Sequence, residues 1–133
     1  MGEARPTYSG PGRILVAVYA VFALAATARA GVQIATRFDE APVAYLLSAF
    51  AAVVYIVATI ALARSGPAAR RVALVACSVE LIGVVVVGTV SLAMPEAFPD
   101  ETVWSAYGRG YYFVPLVLPV LGLWLLRRTA QKS

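Results

Sequence analysis

Thr102–Leu126 reads TVWSAYGRGYYFVPLVLPVLGLWLL, an aromatic cluster, a glycine pair around an arginine, and two prolines inside an apolar run. Each proline deletes a backbone donor, so a helix through this stretch leaves the carbonyls of Tyr111 and Pro115 without their usual partners. In hydrocarbon such carbonyls need another partner. Spans interrupted by Gly or Pro are where membrane proteins often build binding sites, so Pro115 and Pro119 mark an expected helix break and a local pointer to function. Gly108-Arg109-Gly110 is no nucleotide motif, because no strand precedes it and no third glycine follows at the required distance. Trp104, Tyr107, Arg109, Tyr111 and Tyr112 fit two descriptions. They are an amphipathic outer pocket for an anionic headgroup or lipid-like ligand, or they are interface anchors at the mouth of a helical bundle.

Composition supports the membrane reading of that stretch. The chain has 133 residues, 61% of them hydrophobic and 14% charged, with a mean hydropathy of +0.80; about a quarter of an ordinary soluble domain is charged. A membrane helix takes about 20 apolar residues, so four spans and short turns consume nearly the whole sequence. A single cysteine, Cys77, excludes an internal disulfide and cysteine-pair redox chemistry, and the absence of histidine excludes histidine metal sites and imidazole acid-base catalysis. No cofactor and no metal are expected. The net charge of +4 sits at the ends of apolar runs, where headgroups and membrane insertion account for it without nucleic acid.

Working outward, residues 1–12 form a polar, Gly/Pro-rich lead that is expected to be disordered. Pro6 occupies the position at which a myristoylation signal carries Ser or Thr. The first span is expected over about 14–36, the second over 43–63, the third over 72–94 and the fourth over 108–126, with 127–133 a basic tail. The apolar core Ile14–Ala26 followed by Ala28-Arg29-Ala30 also resembles a signal peptide with its cleavage site, but the apolar pattern continues through Val32, Ile34 and Ala35, which favours a retained helix. In the second span Tyr45, Ser48, Ala52, Tyr55 and Thr59 recur at the spacing of a left-handed bundle seam, where small and hydroxyl residues allow close approach.

Arginine and lysine placement orients the spans. Arg5, Arg13, Arg64, Arg70, Arg71, Arg127, Arg128 and Lys132 fall in the lead, the middle turn and the tail, against Arg37 and Arg109 in the other loops. The positive-inside rule then puts both termini in the cytoplasm. Trp124 falls at the inner interface, and Trp104 with the three tyrosines at the outer one.

Within the spans, Glu80 lies about 3 Å from its midpoint at 1.5 Å per residue, and Tyr55 comes out at the same depth. A Tyr55–Glu80 hydrogen bond is therefore expected, with burial keeping the carboxyl protonated. An intramembrane carboxyl binds protons or a cationic substrate, or it simply holds helices together. Arg29, about 6 Å beyond the midpoint on the outer side, is the candidate counter-ion, with Gln33 one turn on. Its other options are to snorkel outward or to pair with Asp39 or Glu40. Cys77 reads as a small buried hydrophobe.

RFDEAPVAYLLSA at 37–49 and YYFVPLVLPVLGLWLL at 111–126, with the Ala/Val/Arg/Gly-heavy usage, resemble small four-span integral membrane proteins of actinobacteria with no assigned activity. The resemblance implies architecture and carries over no catalytic residue. Small multidrug exporters share the size, but their membrane carboxylate belongs to the first span, whereas Glu80 is in the third; vitamin K reductase-like enzymes need paired cysteines. The expected protein is an all-α transmembrane four-helix bundle, N-in and C-in, in the plasma membrane. It acts as a non-enzymatic membrane protein that binds lipid, a protein partner or further copies of itself. The alternative is a small oligomeric transporter using Glu80 and Arg29.

Overall fold

A computed structural model describes residues 11–94, 96, 104, 107–108 and 113–132, with backbone alone at 11 and 129–132. The described chain is helical: α1 (Pro11–Arg37), a single 3-10 turn (Phe38–Glu40), α2 (Pro42–Ala63), α3 (Pro67–Ala93) and α4 (Val114–Lys132), with no strand among these residues. Three of the helices, α1, α2 and α3, are long and apolar enough to cross a membrane. Pro42 and Pro67 each open a helix at its first turn, where the missing N–H would have no intrahelical acceptor in any case.

Short turns make α1, α2 and α3 successively antiparallel, and residues 94–113 lead from α3 to α4. α1 packs on α2, α2 on α3 and α3 on α4, and α4 closes back on α1. α1 and α3 therefore run parallel and face each other across the diagonal of the bundle. The buried stripe of α1 is Leu15, Tyr19, Ala23, Ala26, Ala30 and Gln33, spaced three and four apart as a helix–helix seam requires. α2 answers with the seam expected from sequence: Tyr45, Ser48, Ala52 and Tyr55 are buried, and half-buried Thr59 turns its hydroxyl to the Tyr55 carbonyl at 2.7 Å. Small residues recur in both helices, Ala23, Ala26 and Ala30 in α1 and buried Ala44, Ala51, Ala52, Ala58 and Ala61 in α2, so the backbones approach closely. Large apolar side chains point the other way: Leu24 is 73% exposed and Ile82 64%.

The helix limits differ from the expected spans at three places. α1 begins at Pro11, and α3 begins at Pro67 rather than near 72, because arginines in a first turn do not interrupt a helix that a proline has already started. α4 begins at Val114 rather than near 108. Tyr107, Gly108 and Phe113 have φ of 61°, 83° and 61°, a left-handed backbone that a right-handed helix cannot contain. Gly108 meets two demands, since an added Cβ there would also stand 2.8 Å from the Pro115 ring.

This start changes the roles of the two prolines. The Phe113 carbonyl accepts from the N–H groups of Leu116 and Val117 at 3.0 and 3.2 Å, so Pro115 occupies the opening turn and breaks nothing. Pro119 lies inside α4, and the helix continues through it to Lys132. Both rings are fully buried and act as core filling. The apolar part of α4, Val114–Leu126, amounts to about 20 Å of helix at 1.5 Å per residue, less than the ~30 Å of bilayer hydrocarbon. The lead (1–10) lies outside the described residues.

Candidate functional site

The polar centre of the bundle is built from α1 and α3. Tyr19 and Glu80 are both completely buried, and the Tyr19 hydroxyl donates to Glu80 Oε1 at 2.6 Å. Glu80 is the middle residue of α3. Cys77, one turn earlier on the same face, holds its sulfur 3.6 Å from the same hydroxyl. On the fourth side Gly122 of α4 comes so near that an added Cβ would lie 2.7 Å from Cys77 Sγ and 3.5 Å from the Tyr19 hydroxyl. The absence of a side chain at 122 is what lets α4 close over the cluster.

Tyr55 takes a neighbouring place rather than the expected one. Its ring lies 6.1 Å from that of Tyr19 and 6.0 Å from that of Phe22, so it supports Tyr19 through aromatic packing. Tyr19, not Tyr55, is the donor to Glu80. Glu80 Oε1 takes its hydrogen bond from α1, and Tyr55 of α2 packs beside that donor. Sequence reasoning passed over Tyr19, although the stripe Leu15-Tyr19-Ala23-Ala26-Ala30 carries the same signal as the seam recognised on α2.

Arg29 is not brought to Glu80. It stands ten residues beyond Tyr19 on a helix parallel to α3, about 15 Å further along the axis. Arg29, Gln33 and Arg37 instead share one side of α1 around a hollow of about 380 Å³. Gln33 is 2% exposed, and its Oε1 has no hydrogen-bond partner among the described residues. The same holds for Glu80 Oε2.

The expected outer pocket divides. Arg109, Tyr111 and Tyr112 lie outside the described residues. Trp104 is 1% exposed and lies flat on α3 at Gly83, where an added Cβ would stand 2.6 Å from the indole. Tyr107 is seated on Gly88 and shares a 2.8 Å hydrogen bond with the Thr89 hydroxyl. Both glycines of α3 are thus receptacles for aromatic rings, Trp104 at Gly83 and Tyr107 at Gly88. Trp104 is core, one turn from Glu80, rather than the wall of an opening. Its edge contact with Phe50, with centroids 6.2 Å apart and planes at 75°, ties Trp104 to α2 as well.

Full burial of Tyr19, Cys77 and Glu80 makes this cluster a joint between helices. Among the described residues no group of His, Cys, Asp and Glu is placed to hold a metal ion. Outside the joint an Arg70 guanidinium N–H of α3 donates to the Leu126 carbonyl of α4, and within α4 the Arg128 guanidinium lies 5.2 Å over the Trp124 ring one turn earlier. No protein-family model matches the chain, and no curated protein or solved structure matches it.

Proposed function

We propose that the chain is a four-span plasma-membrane protein with both termini cytoplasmic, non-enzymatic, that binds membrane lipid or a protein partner on the outside of a helical bundle, as sequence resemblance to actinobacterial four-span proteins also suggests. The observation that carries this reading is the apolar outer surface: Leu24, Leu46, Val53 and Ile82 project outward from α1, α2 and α3, more than half exposed, while the contacts between helices are filled by alanines and a few aromatic rings. Such a surface is stable against hydrocarbon or an apolar partner and costly against water. The fully buried polar centre favours a structural role over turnover of a substrate.

α4 is the fourth span of this proposal. Its apolar length falls about 10 Å short of the hydrocarbon thickness, and Trp104 and Tyr107, packed on Gly83 and Gly88 of α3, supply protein cover for the rest. Non-helical backbone at membrane depth is tolerated where protein buries it.

Single cysteines introduced at Asp39, Ser65 and Ser133 in a Cys77→Ala background test the arrangement with a membrane-impermeant maleimide. Positions 65 and 133 are expected to label from the cytoplasmic side and position 39 from the other. Labelling of 133 on the same side as 39 overturns the fourth crossing, and release of the chain by alkaline carbonate overturns the membrane reading itself.

A proton- or cation-coupled transporter is the second reading, favoured by Glu80 Oε2, which is buried without a partner among the described residues. With Arg29 about 15 Å away, that reading rests on Glu80 alone. Loss of uptake in Glu80→Gln with an intact fold would decide for it.

A further inference from the structure

The outer groove between α2 and α3 has the form of a lipid site. Facing residues from the two antiparallel helices enclose a hollow of about 410 Å³ in which Val53 and Val57 of α2 stand against Val75 and Val79 of α3. β-branched side chains hold few rotamers on a helix, so these walls are preformed. Phe50 lies at the mid-helix end, braced by its edge contact with Trp104, and Arg71 at the end near the α2–α3 turn. A second hollow of about 420 Å³ shares Val57 and Val72 with the first and extends it to Arg64 and Ser65.

We propose that this groove is a binding site for one anionic phospholipid of the leaflet on the Arg64–Arg71 side, with an acyl chain along the valine walls and the phosphate between Arg64 and Arg71. The proposal rests on the membrane-embedded reading above and names the ligand and the site within it. Three observations select this occupant. The trough from Arg71 to Val79 runs about 12 Å at 1.5 Å per residue, close to the ~15 Å hydrocarbon depth of a single leaflet. The charge at its mouth has one sign, since Asp and Glu are absent from the whole of residues 43–79. Of the three arginines around the turn, Arg70 is turned to the Leu126 carbonyl, while Arg64 and Arg71 are exposed at the groove. An anionic headgroup meets two guanidinium groups there, and the ammonium of a zwitterionic headgroup meets no carboxylate from either helix wall.

The test is native mass spectrometry of the full chain in mild detergent, titrated in parallel with dioleoyl phosphatidylglycerol and dioleoyl phosphatidylcholine. A single phosphatidylglycerol is expected to bind in preference to phosphatidylcholine. At about 1 kcal/mol for each basic residue near an anionic surface, Arg64→Gln with Arg71→Gln lowers phosphatidylglycerol affinity by roughly 30-fold, and Arg127→Gln with Arg128→Gln leaves it unchanged. Val57→Trp, which fills the trough at an exposed position, weakens both lipids. Equal binding of the two lipids overturns the proposal, as does an equal loss from the two arginine pairs, which would mean diffuse attraction to the basic end. Carbonate extraction of the same variants separates the outcomes. A chain that stays in the membrane but shows no preference refutes only the lipid site, and a chain that is extracted refutes the membrane reading beneath it.

Discussion

The Tyr19 hydroxyl lies 2.6 Å from Glu80 Oε1 across the diagonal of the bundle, so one hydrogen bond joins two helices that are not consecutive in the chain. Apart from the Arg70 tie to the Leu126 carbonyl at one end, α1 and α3 touch α2 and α4 largely by apolar packing, which sliding by one turn would largely preserve. A donor and acceptor at fixed heights resist that slide, because a displaced Tyr19 would leave buried polar atoms unsatisfied. The pair therefore sets register as well as contributing stability.

Removing the donor tests this. Tyr19→Phe keeps the ring and strands a buried carboxyl oxygen, so it is expected to destabilise the bundle by about 1–3 kcal/mol, measured by reversible unfolding in mixed micelles. A double-mutant cycle with Glu80→Gln should return a coupling of roughly 1–2 kcal/mol. The equivalent cycle between Arg29→Gln and Glu80→Gln should be additive within about 0.5 kcal/mol, since the two groups stand far apart along the axis. A large Arg29–Glu80 coupling would contradict the helix register.

Gly83 and Gly88 make a second, local prediction. Gly83→Ala drives a methyl to within 2.6 Å of the Trp104 indole, and overpacking of this kind costs about 1–3 kcal/mol. Gly31→Ala meets no atom within 4 Å and should be neutral or stabilising by up to about 1 kcal/mol through helix propensity. In a Trp124→Phe background, Trp104 emission should shift to the red in Gly83→Ala and stay fixed in Gly31→Ala.

The helices and much of the α2 seam were legible in the sequence because length and spacing depend on local pattern. Tyr45, Ser48, Ala52 and Tyr55 are buried as their periodicity implies. The partner of Glu80 was not legible from depth alone. Tyr19 and Tyr55 both reach the middle, and the choice between them depends on which helix stands opposite α3, a tertiary fact. The limits of α4 were hidden for another reason: an aromatic-rich stretch with Gly108 and Pro115 looks continuous in hydropathy, whereas the left-handed φ values at Tyr107 and Phe113 exclude a right-handed helix running through them, and α4 starts at Val114. Trp104 and Tyr107 resemble interface anchors by residue type, and only Gly83 and Gly88 on α3 reveal that Trp104 is packed as core and Tyr107 is half-buried against the helix.

Cys77 provides a native reporter of the α3–α4 contact. It is fully buried, so labelling by a small maleimide should be slow in the folded protein and rapid after unfolding. Gly122→Ala puts a methyl 2.7 Å from Cys77 Sγ and must push α4 outward. A strain of about 1–3 kcal/mol corresponds to roughly a tenfold faster labelling rate at the lower half of that range. An unchanged rate would mean that α4 does not close over the cluster.

The two adjacent arginines at the start of α3 should separate cleanly. Arg70 is half-buried and donates to the Leu126 carbonyl near the end of the apolar part of α4; hydrogen bonds to charged groups are worth about 1.5–3 kcal/mol. Arg71 is exposed and faces the α2–α3 groove, where an exposed charge contributes at most about 1 kcal/mol. Arg70→Gln is therefore expected to lower stability by about 1.5 kcal/mol or more and to increase proteolysis of the C-terminal segment, because the end of α4 loses its tie to α3. Arg71→Gln should leave both unchanged in lipid-free detergent. If the two substitutions behave alike, Arg70 does not hold α4 and the closure of the bundle at that end rests on Leu125 and Leu126 packing alone.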